Sequence, residues 1–180
     1  MKSENWIWID CEMTGLNPNI DRIIEIATII TDQDLNIIDY GPNLAIKQSD
    51  KLLDQMDAWN TKHHGNSGLI DKVKASTISE EDAQKQTLEF VQQYCRKGVS
   101  PLCGNSIWQD RRFLDKYMPK LSSFFHYRMI DVSTVKLLAK SWNAKLYGVH
   151  KKENTHQAMD DIKESIQELR YYKDCFLNLV

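Results

Sequence analysis

Apolar and polar positions follow two periods along the chain. Trp6-Ile7-Trp8-Ile9-Asp10-Cys11-Glu12 is a short run rich in β-branched and aromatic residues, closed by Thr14-Gly15 and Asn17-Pro18-Asn19; it predicts a strand and a turn. Ile23 to Thr31 predicts a second strand, stopped by Asp32-Gln33-Asp34, and Leu35 to Ile46 a third, interrupted at Gly41-Pro42. Short polar connections between the three predict an antiparallel meander.

After Ser49 the period becomes helical. Leu52, Leu53, Met56 and Trp59 recur at steps of three and four, and His63-His64-Gly65-Asn66-Ser67-Gly68 breaks the pattern. Ser79-Glu80-Glu81-Asp82 predicts a capping box opening a helix through Leu88, Val91 and Tyr94. Leu102-Cys103-Gly104-Asn105 predicts a short buried strand, Gln109 to Met118 a helix stopped by Pro119, and Tyr127 to Ile130 a strand. Asp131 to Trp142 predicts a helix, and a last one runs from about Thr155 to Phe176. Strands followed by alternating helix and strand predict an α/β three-layer domain on a mixed sheet.

With 180 residues, the chain suits one domain spanning 1–180. It carries 23 basic and 25 acidic residues, a formal net charge of -2. That balance excludes holding long nucleic acid by bulk positive charge, though not nucleic acid as a substrate. No apolar run is long enough to span a bilayer, and Met1 to Asn5 does not read as a signal peptide. Cys11, Cys95, Cys103 and Cys175 lie far apart with no CxxC pair. They are expected as reduced thiols in a cytoplasmic protein, with neither disulfides nor a zinc knuckle.

Alternation along a strand puts Asp10 and Glu12 on one side, about 7 Å apart along the chain. Two carboxylates on a strand of Trp and Ile either reach water at a sheet edge or meet a divalent cation. Asp110 follows a predicted central strand, where α/β sheets hold ligands; a helix cap is the alternative. In the last helix, Ala158, Ile162, Ile166 and Leu169 form the apolar stripe. At 100° per residue, Asp161 flanks that stripe and faces the sheet, whereas Asp160 lies with Glu164 and Gln167 toward solvent. His156 sits at the start of this helix and has the chemistry to take a proton from water.

In the order DxE, strand-end Asp, then His with Asp five later, the set resembles the DEDDh family of 3′-to-5′ exonucleases. The resemblance extends over Asp10 to Leu16, Asp21 to Ala27, Trp59 to Gly65, Gly104 to Leu114 and His156 to Ile162. It implies an RNase H-like fold with a mixed five-stranded sheet flanked by helices. It also implies two divalent ions, Mg²⁺ or Mn²⁺, held by Asp10, Glu12, Asp110 and Asp161, with His156 as the fifth catalytic residue. The match is closer still to a branch acting on very short RNA, dinucleotides especially, and releasing 5′-mononucleotides. There Leu16 resembles a wedge between two bases and Trp59 a stacking platform; ordinary core is the competing reading for both. His64, Ser106 and Arg128 match positions that cap a 5′ phosphate, with Tyr127 reaching from the other protomer of a homodimer. Arg128 read without the resemblance is a surface salt-bridge residue.

Two other readings remain: a different DEDDh exonuclease, of proofreading or tRNA-trimming type, and a catalytically silent nucleic-acid-binding module. The first shares all five catalytic positions, so only Cys11 to Leu16, Trp59 to Gly65 and Tyr127-Arg128 weigh against it. The second is expected to lack at least one acid, and all are present.

Overall fold

Strand β1 (Trp6–Met13) organises the molecule, because one of its faces is apolar throughout and the other changes from apolar to acidic. In the computed structural model, which describes residues 4–146 and 157–177, β1 pairs antiparallel with β2 (Ile23–Thr31). Strand β2 pairs antiparallel with β3 (Ile37–Ala45). On its other side β1 pairs in parallel with β4 (Leu102–Gly104), and β4 in parallel with β5 (Met129–Asp131). The order β3-β2-β1-β4-β5 makes the mixed five-stranded sheet expected from the pattern.

Helices α1 (Asp50–Leu53), α2 (Ala58–Asn66), α3 (Leu69–Ala75) and α4 (Glu80–Tyr94) follow β3. Helices α5 (Trp108–Tyr117) and α6 (Pro119–Ser122) follow β4, and α7 (Val132–Trp142) and α8 (Ala158–Tyr172) follow β5. Alternation on β1 divides the core in two. Ile7, Ile9, Cys11 and Met13 pack with Val91 of α4, Phe113 and Leu114 of α5 and Leu121 of α6. Trp8 packs on the opposite face with Ala27 and Ile29 of β2, Val132 of α7 and Ala158, Ile162, Ile166 and Leu169 of α8. Covered on both sides, β2 is buried at all nine positions and reads as a nearly unbroken apolar run for that reason.

Local chemistry sets several boundaries. The Ser79 hydroxyl accepts from the Asp82 N–H while the Asp82 carboxylate accepts from the Ser79 N–H, so the capping box that opens α4 is present. The apolar pattern from Leu52 to Trp59 is not one helix. Ser49 caps α1, Asp57 caps α2, and α2 runs on through His63-His64-Gly65-Asn66 before the expected break falls at Ser67-Gly68. A second N-cap restarted the helix, and Gly68, at a φ of 72°, separates α2 from α3. Strand β3 likewise continues through Gly41-Pro42, with shifts of register against β2. It lies at the sheet edge, where proline is tolerated. Tyr127 and Arg128 fall in the bend before β5 rather than on the strand. The last helix begins at Ala158; Thr155 and His156 lie outside the described residues.

Candidate active site

The acids of β1 occupy the side that α8 covers. Register places Asp10 opposite Ala27 and Glu12 opposite Glu25, on the same face as Trp8 opposite Ile29. Helix α8 packs on β1 and β2 here and brings Asp161 to the pair. Asp10, Glu12 and Asp161 each present an oxygen within 4.8 Å of the others. Of the two adjacent aspartates, Asp161 is the one that lies with Asp10 and Glu12. Asp160 points outward and pairs with Lys163 at 2.9 Å, its side chain 42% exposed.

Asp110 approaches from α5. It is only 6% exposed, and its Oδ1 accepts the Cys11 backbone N–H at 2.9 Å. That bond draws it onto the backbone between Asp10 and Glu12, beside the three-carboxylate group rather than within it. Burial pushes its carboxyl up to about 7, against bonds from Cys11 and its own backbone that favour the charged form. Glu12 is pushed up to about 8, first by burial and then by Asp161, Glu25 and Asp110. The site therefore concentrates more negative charge than its own surroundings compensate.

Pattern reading missed two neighbours. Glu25, 4% exposed, accepts the Ala158 N–H with Oε2 at 3.4 Å. It supplies a partner at the start of α8, whose N-cap residue Gln157 makes no side-chain cap bond. Burial raises its carboxyl above the usual range. The signal was a lone acid in an otherwise apolar strand, Ile23-Ile24-Glu25-Ile26. Ser133, the second residue of α7, is the other. Its hydroxyl lies 3.1 Å from Ser106 Oγ and accepts the Ser106 N–H at 3.0 Å. No sequence spacing links these two, because β5 and the start of α7 must pack beside β4 first.

The remaining candidates divide into groups. Leu16 is 73% and Trp59 58% exposed, so neither is core. Together with Asp57 and Asn60 they line one cavity of about 340 Å³, and the Trp59 ring stacks on His63 at 3.9 Å. His64 is buried on the Glu12 side, its Nε2 3.0 Å from the Met13 carbonyl and its Nδ1 3.9 Å from Glu12 Oε2. Ser106, at a φ of 49°, is held by Asp131 and Ser133 at the end of β4. Tyr127 is 74% exposed, with the Arg128 guanidinium 5.1 Å from its ring centroid.

The donors suit a hard cation. Asp10, Glu12, Asp161 and nearby Asp110 offer only oxygens, the ligands preferred by Mg²⁺ and Mn²⁺. Cys11 lies among them in sequence, but its side chain is buried on the opposite face in the core formed with α4, α5 and α6, which removes it as a ligand. Raised carboxyls crowded together are the state that a bound dication reverses.

Comparison with known proteins agrees with this geometry. The RNase T exonuclease family model matches residues 7–169. The chain is 59% identical to an oligoribonuclease of Alcanivorax borkumensis, with 98% of each chain covered. It is 60% identical to one of Shewanella frigidimarina, over 95% of this chain and 94% of the relative. Among solved structures, it resembles E. coli exonuclease I in complex with a 5cy-dT13 oligonucleotide, with a TM-score of 0.75 at 16% identity. A zinc-bound form of the E. coli exonuclease I–ssDNA complex gives 0.69 at 18%. In both comparisons the chain spans only 42% of the longer exonuclease, and the likeness is one of fold. An acid-lined sheet end under α8, a family model over nearly the whole chain and relatives at about 60% identity together place this chain in the exonuclease family, among its oligoribonucleases.

Proposed function

We propose that the chain is a 3′-to-5′ exoribonuclease that degrades very short RNA, dinucleotides especially, to 5′-mononucleotides. The observation that carries this reading is the juxtaposition of Asp10, Glu12 and Asp161, with a cavity walled by Leu16 and Trp59 nearby in the fold. Leu16 lies four residues after Glu12, so the apolar wall and the acids belong to one loop-and-strand unit.

Asp10, Glu12, Asp110 and Asp161 would hold two divalent ions, Mg²⁺ or Mn²⁺. Bound ions supply activation of the attacking water and stabilisation of the departing 3′ oxygen. His156, outside the described residues, is the residue assigned to take the proton from that water. Oxygen attacks phosphorus, the bond to the 3′ oxygen breaks, and that oxygen leaves protonated. Leu16 would separate the two bases and Trp59 would stack on one of them. Ser106, Arg128 and His64 would receive the 5′ phosphate, and Ser133 stands beside Ser106 to join them. Such a cap favours short chains, because a further nucleotide would have to displace it.

The partner chain in this reading is a second copy. Tyr127, Leu137 and Trp142 are 74%, 61% and 72% exposed, an amount of bare apolar surface on and beside α7 that suits an interface. Tyr127 would complete the neighbouring site. The free cysteines suit a reducing, cytoplasmic compartment. No helix among the described residues is long and apolar enough to cross a membrane.

Time courses on 5′-labelled RNAs of two to seven nucleotides, with and without Mn²⁺, test the activity. Dinucleotides are expected to disappear fastest, and only with metal. Their accumulation from longer substrates would reject the short-substrate reading. Dimerisation is tested separately by sedimentation of the wild type and of Trp142→Glu.

A further inference from the structure

The connection from Thr14 to Arg22, which carries Leu16, is braced both from within and from α5. Within it, Thr14 Oγ1 and the Asn17 N–H donate to the two oxygens of Asp21, at 3.1 and 2.9 Å. A side chain at Gly15 would lie 2.5 Å from Asp21 Oδ2, so glycine is required for this closure. From α5, Tyr117 Oη donates to the Pro18 carbonyl at 2.5 Å and Lys116 Nζ to Asn19 Oδ1 at 3.2 Å. The tie at Leu16 itself comes from Gln109, whose Nε2 donates to the Leu16 carbonyl at 2.7 Å.

We propose that Gln109 is a positioning residue that sets the Leu16 side chain at a fixed distance from the acidic centre and thereby determines how tightly a dinucleotide is held. Adjacent residues on a helix point about 100° apart. Asp110 thus reaches back to the Cys11 N–H of β1 while Gln109 reaches out to the Leu16 loop. One rigid turn of α5 therefore grips both the acidic strand and the wedge that follows it. The Gln109 amide is itself oriented. Arg112, one turn along, donates from Nη1 to Gln109 Oε1 at 2.8 Å, which leaves the NH₂ side facing Leu16. A leucine 73% exposed has almost no packing of its own to fix it, so its backbone anchor decides where it stands. This inference rests on the reading of Leu16 as the group that contacts the bases.

The test is steady-state hydrolysis of a 5′-phosphorylated diribonucleotide with saturating Mn²⁺. Gln109→Glu keeps the acceptor for Arg112 and removes the donor to Leu16; Gln109→Met removes the donor without adding charge. Both are expected to raise KM about five-fold, the size of one neutral hydrogen bond, and to leave kcat within about two-fold. In a Leu16→Ala background neither should raise KM further, since the anchored side chain is gone. An unchanged KM in both Gln109 variants while Leu16→Ala raises it would overturn the proposal and leave the wedge reading intact. If Leu16→Ala itself leaves KM unchanged, the wedge reading fails and takes the proposal with it. A fall in kcat alone, or additive effects in the double variants, would place Gln109 with Asp110 or elsewhere and also overturn it.

Discussion

Glu12 of β1 stands directly opposite Glu25 of β2, with both carboxyls on the face under α8. Like charges paired across a sheet repel, and each carboxyl is raised by burial and by its acidic neighbours. The arrangement persists because the same crowding makes a cation site, and because Glu25 also holds the Ala158 N–H.

The metal-free protein should lose stability as pH rises. Glu12 is pushed from 4.5 to about 8 in the folded state, so between those values the folded chain binds more protons than the unfolded one. Stability then falls with pH across that window and is fully supported only below its lower end. Asp110 and Glu25, also raised, act with the same sign. Melting curves in EDTA from pH 4.5 to 8.5 should show Tm falling, and Glu12→Gln should flatten the fall. An equal slope in the variant would refute the assignment.

Asp160 and Asp161 should separate sharply. Asp161→Asn is expected to lose kcat by about a hundred-fold or more, by analogy with removing one electrostatic group from an active centre. It should also weaken the rise in Tm on adding Mn²⁺. Asp160→Asn gives up only an exposed pair with Lys163, worth at most about 1 kcal/mol, and should keep both. Equal loss in the two variants would mean that the helix, rather than one carboxylate, matters.

Trp59→Ala should raise KM for dinucleotides by about ten-fold or more, the range of one base–aromatic stack. Because Trp59 is 58% exposed, its Tm should move little. A large fall in Tm with unchanged KM would restore the reading of Trp59 as a packing residue.

Lys136 pairs with Glu168 at 3.0 Å, and Glu168 is 1% exposed. Glu168 also accepts from Asn105, which donates as well to Ser165. Removing Lys136 takes the cation from a buried carboxylate that keeps the Asn105 amide. Lys136→Ala should therefore cost about 2 kcal/mol by urea denaturation, less than for a fully buried pair because Lys136 keeps part of its exposure. Lys136→Met with Glu168→Met should cost less than the sum of the single changes. Simple additivity would show that the pair contributes little.

Much of the site was legible before the fold. Asp10 and Glu12 stood out as acids breaking an apolar strand, and 100° periodicity alone chose Asp161. The capping box at Ser79 and the strand at Leu102 followed from local rules acting within a few residues. Errors came where a local signal was ambiguous. Asp57 restarted a helix inside an apparently continuous pattern, and Gly41-Pro42 did not interrupt the edge strand.

Near-neutral charge, -2 over 180 residues, was determined by composition and needs no tertiary argument. The same holds for the acids of β1 and for the face of α8 that meets the sheet, since both follow from side-chain alternation along a single element. Only tertiary structure decided that Glu25 faces Glu12, that Ser133 lies against Ser106, and that Gln109 anchors Leu16. Those pairs join residues 13, 27 and 93 positions apart. Distance along the chain carries no periodicity between elements, so strand register and helix packing have to form before such contacts exist.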